Sequence, residues 1–164
     1  MMWYKIAKKK SNKIVFLDFD GVLNNYPNHD DRTIREVIDN FDKFIFDSKV
    51  KMLKKIVDDC NADFIIISYW RKHFTKNKLS DFLKKKGFKG NIIDFTGLGG
   101  KEHKDRLDKI KKCLEKYNPD SYVILDDSVI DETEDDPNHI RPEKTKGLEE
   151  KHIDKAISIL NGEK

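Results

Sequence analysis

Short apolar runs and longer amphipathic segments alternate along most of this chain. Four of the runs are too short for helices, rich in β-branched and aromatic residues, and bounded by turn-forming residues, which is the pattern of buried strands. These predicted strands are Lys13–Asp18, Ala62–Ser68, Asn91–Phe95 and Ser121–Asp127. Because they are apolar on both faces, they indicate a parallel sheet that is covered on both sides.

Between the strands, apolar residues recur at three- and four-residue spacing, which predicts amphipathic helices. The predicted helices are one capped by Ser48, a short one stopped by Gly87, one from about His103 to Tyr117, and a last one stopped by Gly162. We expect the stretch from Asn25 to Asp47 to be irregular, with at most a short helix or a small hairpin. No repeat or linker interrupts this order, so we predict one α/β domain over residues 1–164, in which the basic segment 1–12 can add a strand.

The composition is that of a folded domain with a strongly charged surface. Charged residues make up 38% of the 164 residues, hydrophobic residues 37%, and the mean hydropathy is -0.74. The net charge is only +3, because 33 Lys and Arg are balanced by 30 Asp and Glu. The lysine patches at 8–10 and 84–86 can meet polyanions or form solvated faces, and the solvated alternative is the more common.

The cysteines and the hydropathy indicate the cellular environment. Cys60 and Cys113 lack the spacing of a metal or redox site, so we expect reduced core thiols. No apolar run approaches transmembrane length, and the N-terminus lacks the apolar region of a signal peptide. We therefore predict a cytoplasmic protein without a membrane partner.

Polar side chains stand at the ends of three predicted strands. Asp18 and Asp20 follow the first strand, Ser68 ends the second, and Asp126 and Asp127 end the fourth. Ligands of such a sheet bind beyond the carboxyl ends of the strands, so we expect these groups to converge. Crowded carboxylates repel one another unless a cation lies between them, and oxygen ligands beside a phosphate favour Mg²⁺.

These positions resemble the motifs of the haloacid dehalogenase (HAD) superfamily of phosphotransferases. "DFDGVL", residues 18–23, matches its first motif, Ser68 in "FIIISYWR" matches the second, and the acid pair of "YVILDD" matches the fourth. The third motif, a Lys or Arg near the start of a helix, has three candidates: Lys101, Lys104 and Arg106. We prefer Arg106, which lies one turn before the apolar stripe of its helix, and Lys104 is the second choice.

More narrowly, the chain resembles the HAD domains of Swiss Army Knife RNA repair proteins. The likeness covers most of the chain from Lys13 onward and rests on "FLDFDGVLN", "SYWR", "ILDDS" and "KTKGLEEKHIDKAISIL". Tyr69 replaces a second Ser of that group, and the stretch 95–106 is atypical. The resemblance implies a HAD-like Rossmannoid three-layer sandwich. The interval from Asn25 to Asp47 is too short for a sizeable cap, so we expect little or no cap domain and an open site.

The resemblance also implies roles in catalysis. Asp18 would attack phosphorus and form an aspartyl-phosphate, while Asp20 would protonate the leaving oxygen and then deprotonate water. Ser68 would hydrogen-bond the phosphoryl group, although a purely structural strand-end cap is the alternative for this residue. Arg106, or Lys104, would neutralise the charge of the phosphoryl group and steady the nucleophile.

Metal and substrate binding are implied in the same way. Mg²⁺ would be held by Asp18, the backbone carbonyl of Asp20 and Asp127, with Asp126 as a ligand or a supporting group. Gly21 would permit the tight turn that brings the backbone to the phosphate.

Two neighbours of the second motif have open assignments. Arg71 is a candidate for substrate binding, and a structural role is the alternative for it. For Trp70, substrate contact and simple packing are equally good interpretations.

The function implied is a Mg²⁺-dependent phosphohydrolase whose phosphorylated substrate includes polynucleotide ends, as in nucleic-acid repair. One alternative is a phosphatase of a small phosphate ester or a phosphoprotein. The other is a non-catalytic phosphate- or nucleic-acid-binding module on the same fold, against which the presence of both Asp18 and Asp20 argues. The sequence does not indicate an oligomeric state.

Overall fold

A parallel β-sheet forms the centre of the molecule. The computed structural model describes residues 12–25, 34–99, 105–128, 130 and 136–163. Within them the strands are β1 (Lys13–Leu17), β2 (Asp63–Ile66), β3 (Asn91–Phe95), β4 (Ser121–Leu125) and β5 (His139–Ile140). Their order in the sheet is β3-β2-β1-β4-β5, and every neighbouring pair is parallel. The predicted parallel α/β sheet is therefore confirmed.

Helices cover both faces of this sheet. They are α1 (Ile34–Asp39), α2 (Phe41–Phe44), α3 (Asp47–Cys60), α4 (Lys76–Lys85), α5 (Arg106–Tyr117) and α6 (Glu150–Leu160), with a 3₁₀ turn at Tyr69–Lys72. None of the helices in the described part of the chain has the length and apolar character needed to cross a membrane.

The core consists of two apolar layers on opposite faces of the sheet. Alternate strand residues such as Leu17 and Ile66 pack with α3, α4 and α6, while their neighbours such as Phe16 and Ile65 pack with α5. All four of these side chains are fully buried. Since β1 and β2 are buried on both faces, they have the continuous apolar sequence from which they were predicted, and the three-layer HAD-like sandwich is confirmed.

The predicted secondary structure was wrong in three details. Helix α3 starts at Asp47 after an extended Phe46 and has no side-chain cap. Phe46 occupies the N-cap position, and Ser48 lies two residues past it, inside the helix. Strand β5 was not predicted, because two residues are too few for a periodic pattern. The stretch expected to hold at most one short helix contains both α1 and α2.

Other predictions fall partly or wholly outside the described residues. The basic segment 1–12 is described only at Asn12, so its added strand stays a prediction, as does the single-domain organisation. Helix α5 is described from Arg106 onward, whereas the predicted start at His103 is outside. Between β1 and α3 the described residues contain only short helices and turns, which agrees with the expectation of little or no cap.

Candidate active site

The carboxyl ends of β1, β2 and β4 form one edge, because these strands pair in register. Leu17 is opposite Ile66 on one side and Leu125 on the other. The alignment continues past the strands, since the N–H of Asp18 donates to the Leu125 carbonyl at 2.9 Å and that of Ile67 to the Leu17 carbonyl at 3.0 Å. The polar residues that follow the three strands therefore lie side by side at the carboxyl edge of the sheet.

A tight turn follows β1 and lies against the end of β4. Within it, the N–H groups of Val22 and Leu23 both donate to the carbonyl of Phe19, at 3.1 and 2.7 Å. Gly21 has a φ of +74°, which residues with a side chain adopt at a cost. A Cβ at Gly21 would also overlap the carboxylate of Asp127. Glycine is thus required here by both backbone conformation and space.

Asp18, Asp126 and Asp127 form an acid cluster at this edge. Each offers a carboxylate oxygen, and the three oxygens lie within 4.8 Å of one another. Asp18 is 5% exposed and Asp126 is completely buried, whereas Asp127 is half-buried. The structure thus brings together three of the four residues predicted to hold a metal. The carboxylate of the fourth, Asp20, is not part of this cluster.

Arg106 is the basic residue that the structure places in contact with the acid cluster. It is the first residue of α5 and is itself buried. Its Nη1 forms an ion pair with the Asp126 carboxylate and lies 3.8 Å from Oδ2 of Asp18. The alternative third-motif candidates, Lys101 and Lys104, lie outside the described residues. Arg106, the preferred candidate for the third motif, therefore lies between Asp18 and Asp126.

Burial and mutual repulsion favour the protonated forms of Asp18 and Asp127. Burial first, and the Asp126 carboxylate next, raise the pKa of Asp18 well above its usual 3.8, although Arg106 opposes this. The same two causes raise the pKa of Asp127 from 3.8 to about 6. A carboxyl group must be ionised to attack phosphorus or to bind a cation. Additional positive charge beside Asp18 and Asp127 would lower both pKa values and favour the ionised forms.

The donor atoms of the acid cluster fit a hard divalent cation. All three groups are carboxylates, and no sulfur or imidazole belongs to the cluster. Among the described residues, no second group of three or more acidic, His or Cys side chains converges in this way. Oxygen-only ligands of this kind suit Mg²⁺ better than Zn²⁺, which is usually bound with nitrogen or sulfur.

Asp20 is held separately, beside the acid cluster. Its Oδ2 accepts a hydrogen bond from the indole Nε1 of Trp70 at 3.0 Å, and its Oδ1 accepts one from Nδ2 of Asn24 at 3.0 Å. The sequence left Trp70 undecided between packing and substrate contact and did not single out Asn24. The N–H of an indole and the amide of an Asn carry no pattern that predicts a partner distant in sequence.

Ser68 lies at the end of β2 and is 1% exposed. Its Oγ accepts a hydrogen bond from the N–H of Trp70 at 3.3 Å and so caps the 3₁₀ turn. This is the structural alternative considered for Ser68. The hydroxyl still has a proton to donate, so capping and phosphoryl binding are compatible for this side chain.

Arg71 lies at the ends of β2 and β3. Its side chain is 3% exposed, and its Nε, Nη1 and Nη2 atoms donate to carbonyl oxygens at the ends of β2 and β3. The acceptors are Ile67 at 3.2 Å, Ser68 at 2.9 Å, Thr96 at 3.0 Å and Gly97 at 2.8 Å. The guanidinium group thus joins two strand ends and fixes the backbone of Ser68. This is the structural alternative for Arg71, and its part in substrate binding stays a prediction.

Two residues absent from the predicted site also fix its backbone. His139 of β5 donates from Nε2 to the carbonyl of Asp126 at 3.0 Å. Gly147 lies so close to the turn after β1 that a Cβ would stand 2.6 Å from the carbonyl oxygen of Asn24, and the next N–H, of Leu148, donates to Val22 at 2.9 Å. The glycine of "KTKGLEE" is therefore needed for contact with the first motif.

Arg106, at the start of α5, lies between Asp18 and Asp126 and adds a basic group to the acids at the strand ends, an arrangement typical of a HAD-type domain. The family within that superfamily is shown by the sequence as a whole. A family model described as "HAD domain in Swiss Army Knife RNA repair proteins" matches residues 14–153, and the chain belongs to this family. No curated protein and no solved structure shows a significant match. The resemblance seen in the sequence is thereby confirmed, and the family indicates a phosphohydrolase that uses a divalent metal.

Metal binding should change the pH dependence of stability. The folded-state pKa of Asp127, about 6, exceeds its usual 3.8, so this group favours the folded state most below about pH 4, and that contribution is lost as the pH rises through about 6. A bound cation would remove the cause of this loss. We expect Mg²⁺ to raise the melting temperature more at pH 7.5 than at pH 5, measured by thermal unfolding with Mg²⁺ or with EDTA.

The matched control for this experiment is Asp127→Asn, in which both the pH-dependent loss and the Mg²⁺ effect should shrink. An Mg²⁺ effect of equal size at the two pH values, or equally large in Asp127→Asn, would contradict the assignment.

Removal of the Arg71 guanidinium should lower the stability of the fold more than it lowers the affinity for a substrate. Arg71→Met leaves buried carbonyl oxygens at the ends of β2 and β3 without donors, so we expect the free energy of unfolding to fall by about 2–4 kcal/mol in urea titrations. Arg35→Met, at a surface position of α1 where the side chain is 92% exposed, is the control and should change it by less than about 0.5 kcal/mol. Wild-type stability combined with a several-fold higher KM would favour Arg71 as a substrate-binding residue.

Proposed function

We propose that this protein is a Mg²⁺-dependent phosphohydrolase that acts through an aspartyl-phosphate on Asp18. The observation that carries the proposal is the placement of Asp18: it is buried, lies 3.8 Å from Arg106 and shares the acid cluster with Asp126 and Asp127. Burial of a carboxylate beside two others costs free energy, and a carboxylate that acted alone would not need such neighbours. Membership of a HAD family supports the same chemistry.

The reaction proceeds in two displacements. In the first, a carboxylate oxygen of Asp18 bonds to phosphorus while the bond from phosphorus to the leaving oxygen breaks, and Asp20 gives that oxygen a proton. In the second, Asp20 takes a proton from water, the water oxygen bonds to phosphorus, and the bond to Asp18 breaks. Inorganic phosphate leaves, and both acids return to their starting state.

The remaining groups position the phosphate and balance charge. Mg²⁺ would be held by Asp18, the carbonyl oxygen of Asp20 and Asp127, where it would offset charge on the phosphoryl oxygens and the carboxylates. Arg106 adds one fixed positive charge beside Asp18, and its ion pair keeps Asp126 as a supporting group. Ser68 directs its hydroxyl proton to a phosphoryl oxygen.

Polynucleotide ends are the substrates that we favour. The family is described by its occurrence in RNA repair proteins, and the described residues around the site contain no cap domain that would exclude a large substrate. The lysine patch at 84–86 adds no support, because Lys86 is buried and its Nζ donates to Asp42 and Asp47, both at 2.9 Å. A cytoplasmic location is part of the proposal and is supported by two buried cysteines, Cys60 and Cys113, that form no disulfide.

A small phosphate ester or a phosphoprotein is the alternative substrate for the same chemistry. A non-catalytic binding module is the alternative from another class, and it would leave the hydrogen-bonded carboxylate of Asp20 without a purpose. One set of assays separates these candidates.

We would measure Mg²⁺-dependent phosphate release from an aryl phosphate and from 3′- and 5′-phosphorylated oligonucleotides. Asp18→Asn removes the nucleophile and should lower kcat by more than about a thousandfold. EDTA should abolish release reversibly. Asp81→Asn, at an exposed position of α4, is the matched control and should keep wild-type activity.

The preferred substrate then distinguishes a polynucleotide from the alternatives. Activity that persists in Asp18→Asn would rule out the aspartyl-phosphate. No release by the wild type from any of these esters would overturn the phosphohydrolase and favour the binding module.

A further inference from the structure

The carboxylate of Asp20 is fixed by two donors that come from different parts of the fold. Trp70 in the 3₁₀ turn after β2 donates to Oδ2, and Asn24 in the turn after β1 donates to Oδ1, each at 3.0 Å. One donor on each oxygen restricts rotation of the carboxylate about both side-chain torsions. The orientation of Asp20 is therefore determined by its neighbours and not by its own rotamer preference.

Asn24 is itself held on every polar atom. It is completely buried, its Oδ1 accepts from the N–H of Gly21 at 2.9 Å, and its Nδ2 donates to the Phe44 carbonyl at 2.7 Å as well as to Asp20. Reversing the amide would set a donor against an N–H and an acceptor against a carbonyl, so the network permits only one orientation.

Trp70 is held by packing. The residue is 3% exposed, and its ring packs edge-on against Phe41 with centroids 4.9 Å apart and stacks on Phe74 at 6.3 Å. The Ser68 cap fixes its backbone N–H at the same time. An indole held in this way points its Nε1–H in a single direction, toward Asp20.

The choice of acceptor gives this contact a functional meaning. A buried indole N–H requires only one acceptor, which a backbone carbonyl could supply at lower cost than a carboxylate. Asp20 follows Asp18 by two residues, yet its carboxylate is not part of the acid cluster. Hydrogen bonds from Trp70 and Asn24 hold this group outside the cluster, and a carboxyl group that does not bind a cation is available for proton exchange.

We propose that Trp70 and Asn24 are positioning residues that hold the Asp20 carboxylate for proton transfer to the leaving oxygen. This inference rests on the proposed phosphohydrolase function. It assigns to the "W" of "SYWR" a role in the chemistry of the site that packing alone does not supply.

The dependence of rate on the leaving group tests this role directly. Trp70→Phe keeps an aromatic ring in the cluster, removes the indole donor and fills less of the buried space. An alkyl phosphate needs a proton on its leaving oxygen, whereas 4-nitrophenyl phosphate releases a stable anion without one. We expect kcat/KM to fall about tenfold or more for the alkyl ester and at most about twofold for the aryl ester.

Two further variants separate positioning from general damage. Phe88→Leu alters a buried aromatic that packs on Phe64, away from Asp20, and should change both esters by the same factor. In an Asp20→Asn background the proton donor is already lost, so adding Trp70→Phe should not change the ratio of the two esters further.

The possible outcomes are distinct. Equal losses for both esters in Trp70→Phe, or a further change of the ratio in the Asp20→Asn background, would overturn the positioning role and leave the phosphohydrolase standing. No release from either ester by the wild type would overturn the phosphohydrolase and the positioning role with it.

A measurement without turnover covers the case in which Trp70→Phe does not fold. The indole N–H of Trp70 in the wild-type protein should give an NMR resonance that shifts in Asp20→Asn. An unchanged resonance would refute the contact.

Discussion

The repulsion among carboxylates at one edge of the sheet is the constraint on which the rest of the site depends. In-register pairing of β1 with β2 and β4 forces the acids after these strands together. The three carboxylates of the acid cluster face one guanidinium, that of Arg106, which leaves two negative charges when all are ionised. A divalent cation would balance that charge, and in the proposed reaction metal binding and ionisation of Asp18 would be coupled energetically.

Much of the surrounding structure prevents the site from relaxing away from this repulsion. The Arg71 guanidinium joins the ends of β2 and β3, His139 of the edge strand holds the carbonyl of Asp126, and Gly147 lies against the turn after β1. None of these contacts involves a carboxylate of the acid cluster. Their common effect is a rigid backbone, which phosphoryl transfer needs because it depends on positioning more than on covalent activation.

The sequence predicted the parts of this arrangement that follow from local pattern. Buried strands are continuous apolar runs, and polar residues directly after them, such as Asp18, Ser68 and Asp126, must lie at the carboxyl edge. The position of Arg106 could be preferred because it starts an amphipathic helix. The parts that the sequence left open depend on contacts between distant residues: an arginine in "SYWR" looks the same whether it binds a phosphate or backbone carbonyls.

Strand β5 and the role of Asn24 could not be predicted for a related reason. Strand β5 has only two residues, and its partner β4 supplies the hydrogen bonds that define it, so nothing in its own sequence marks it. Asn24 could not be recognised either, because its importance lies in satisfying Asp20, Gly21 and Phe44 together. Sequence pattern identified which chemistry the edge can perform, while the side-chain network that orients it became visible only in three dimensions.

The central position of β1 has a consequence for synthesis on the ribosome. Asp18 and Asp20 are synthesised before the partners that surround them in the folded site: Asn24, Trp70, Arg106, the pair after β4 and the segment at Gly147. Their burial and hydrogen bonds therefore form only after most of the domain has left the exit tunnel. The site is complete only when the fold is complete.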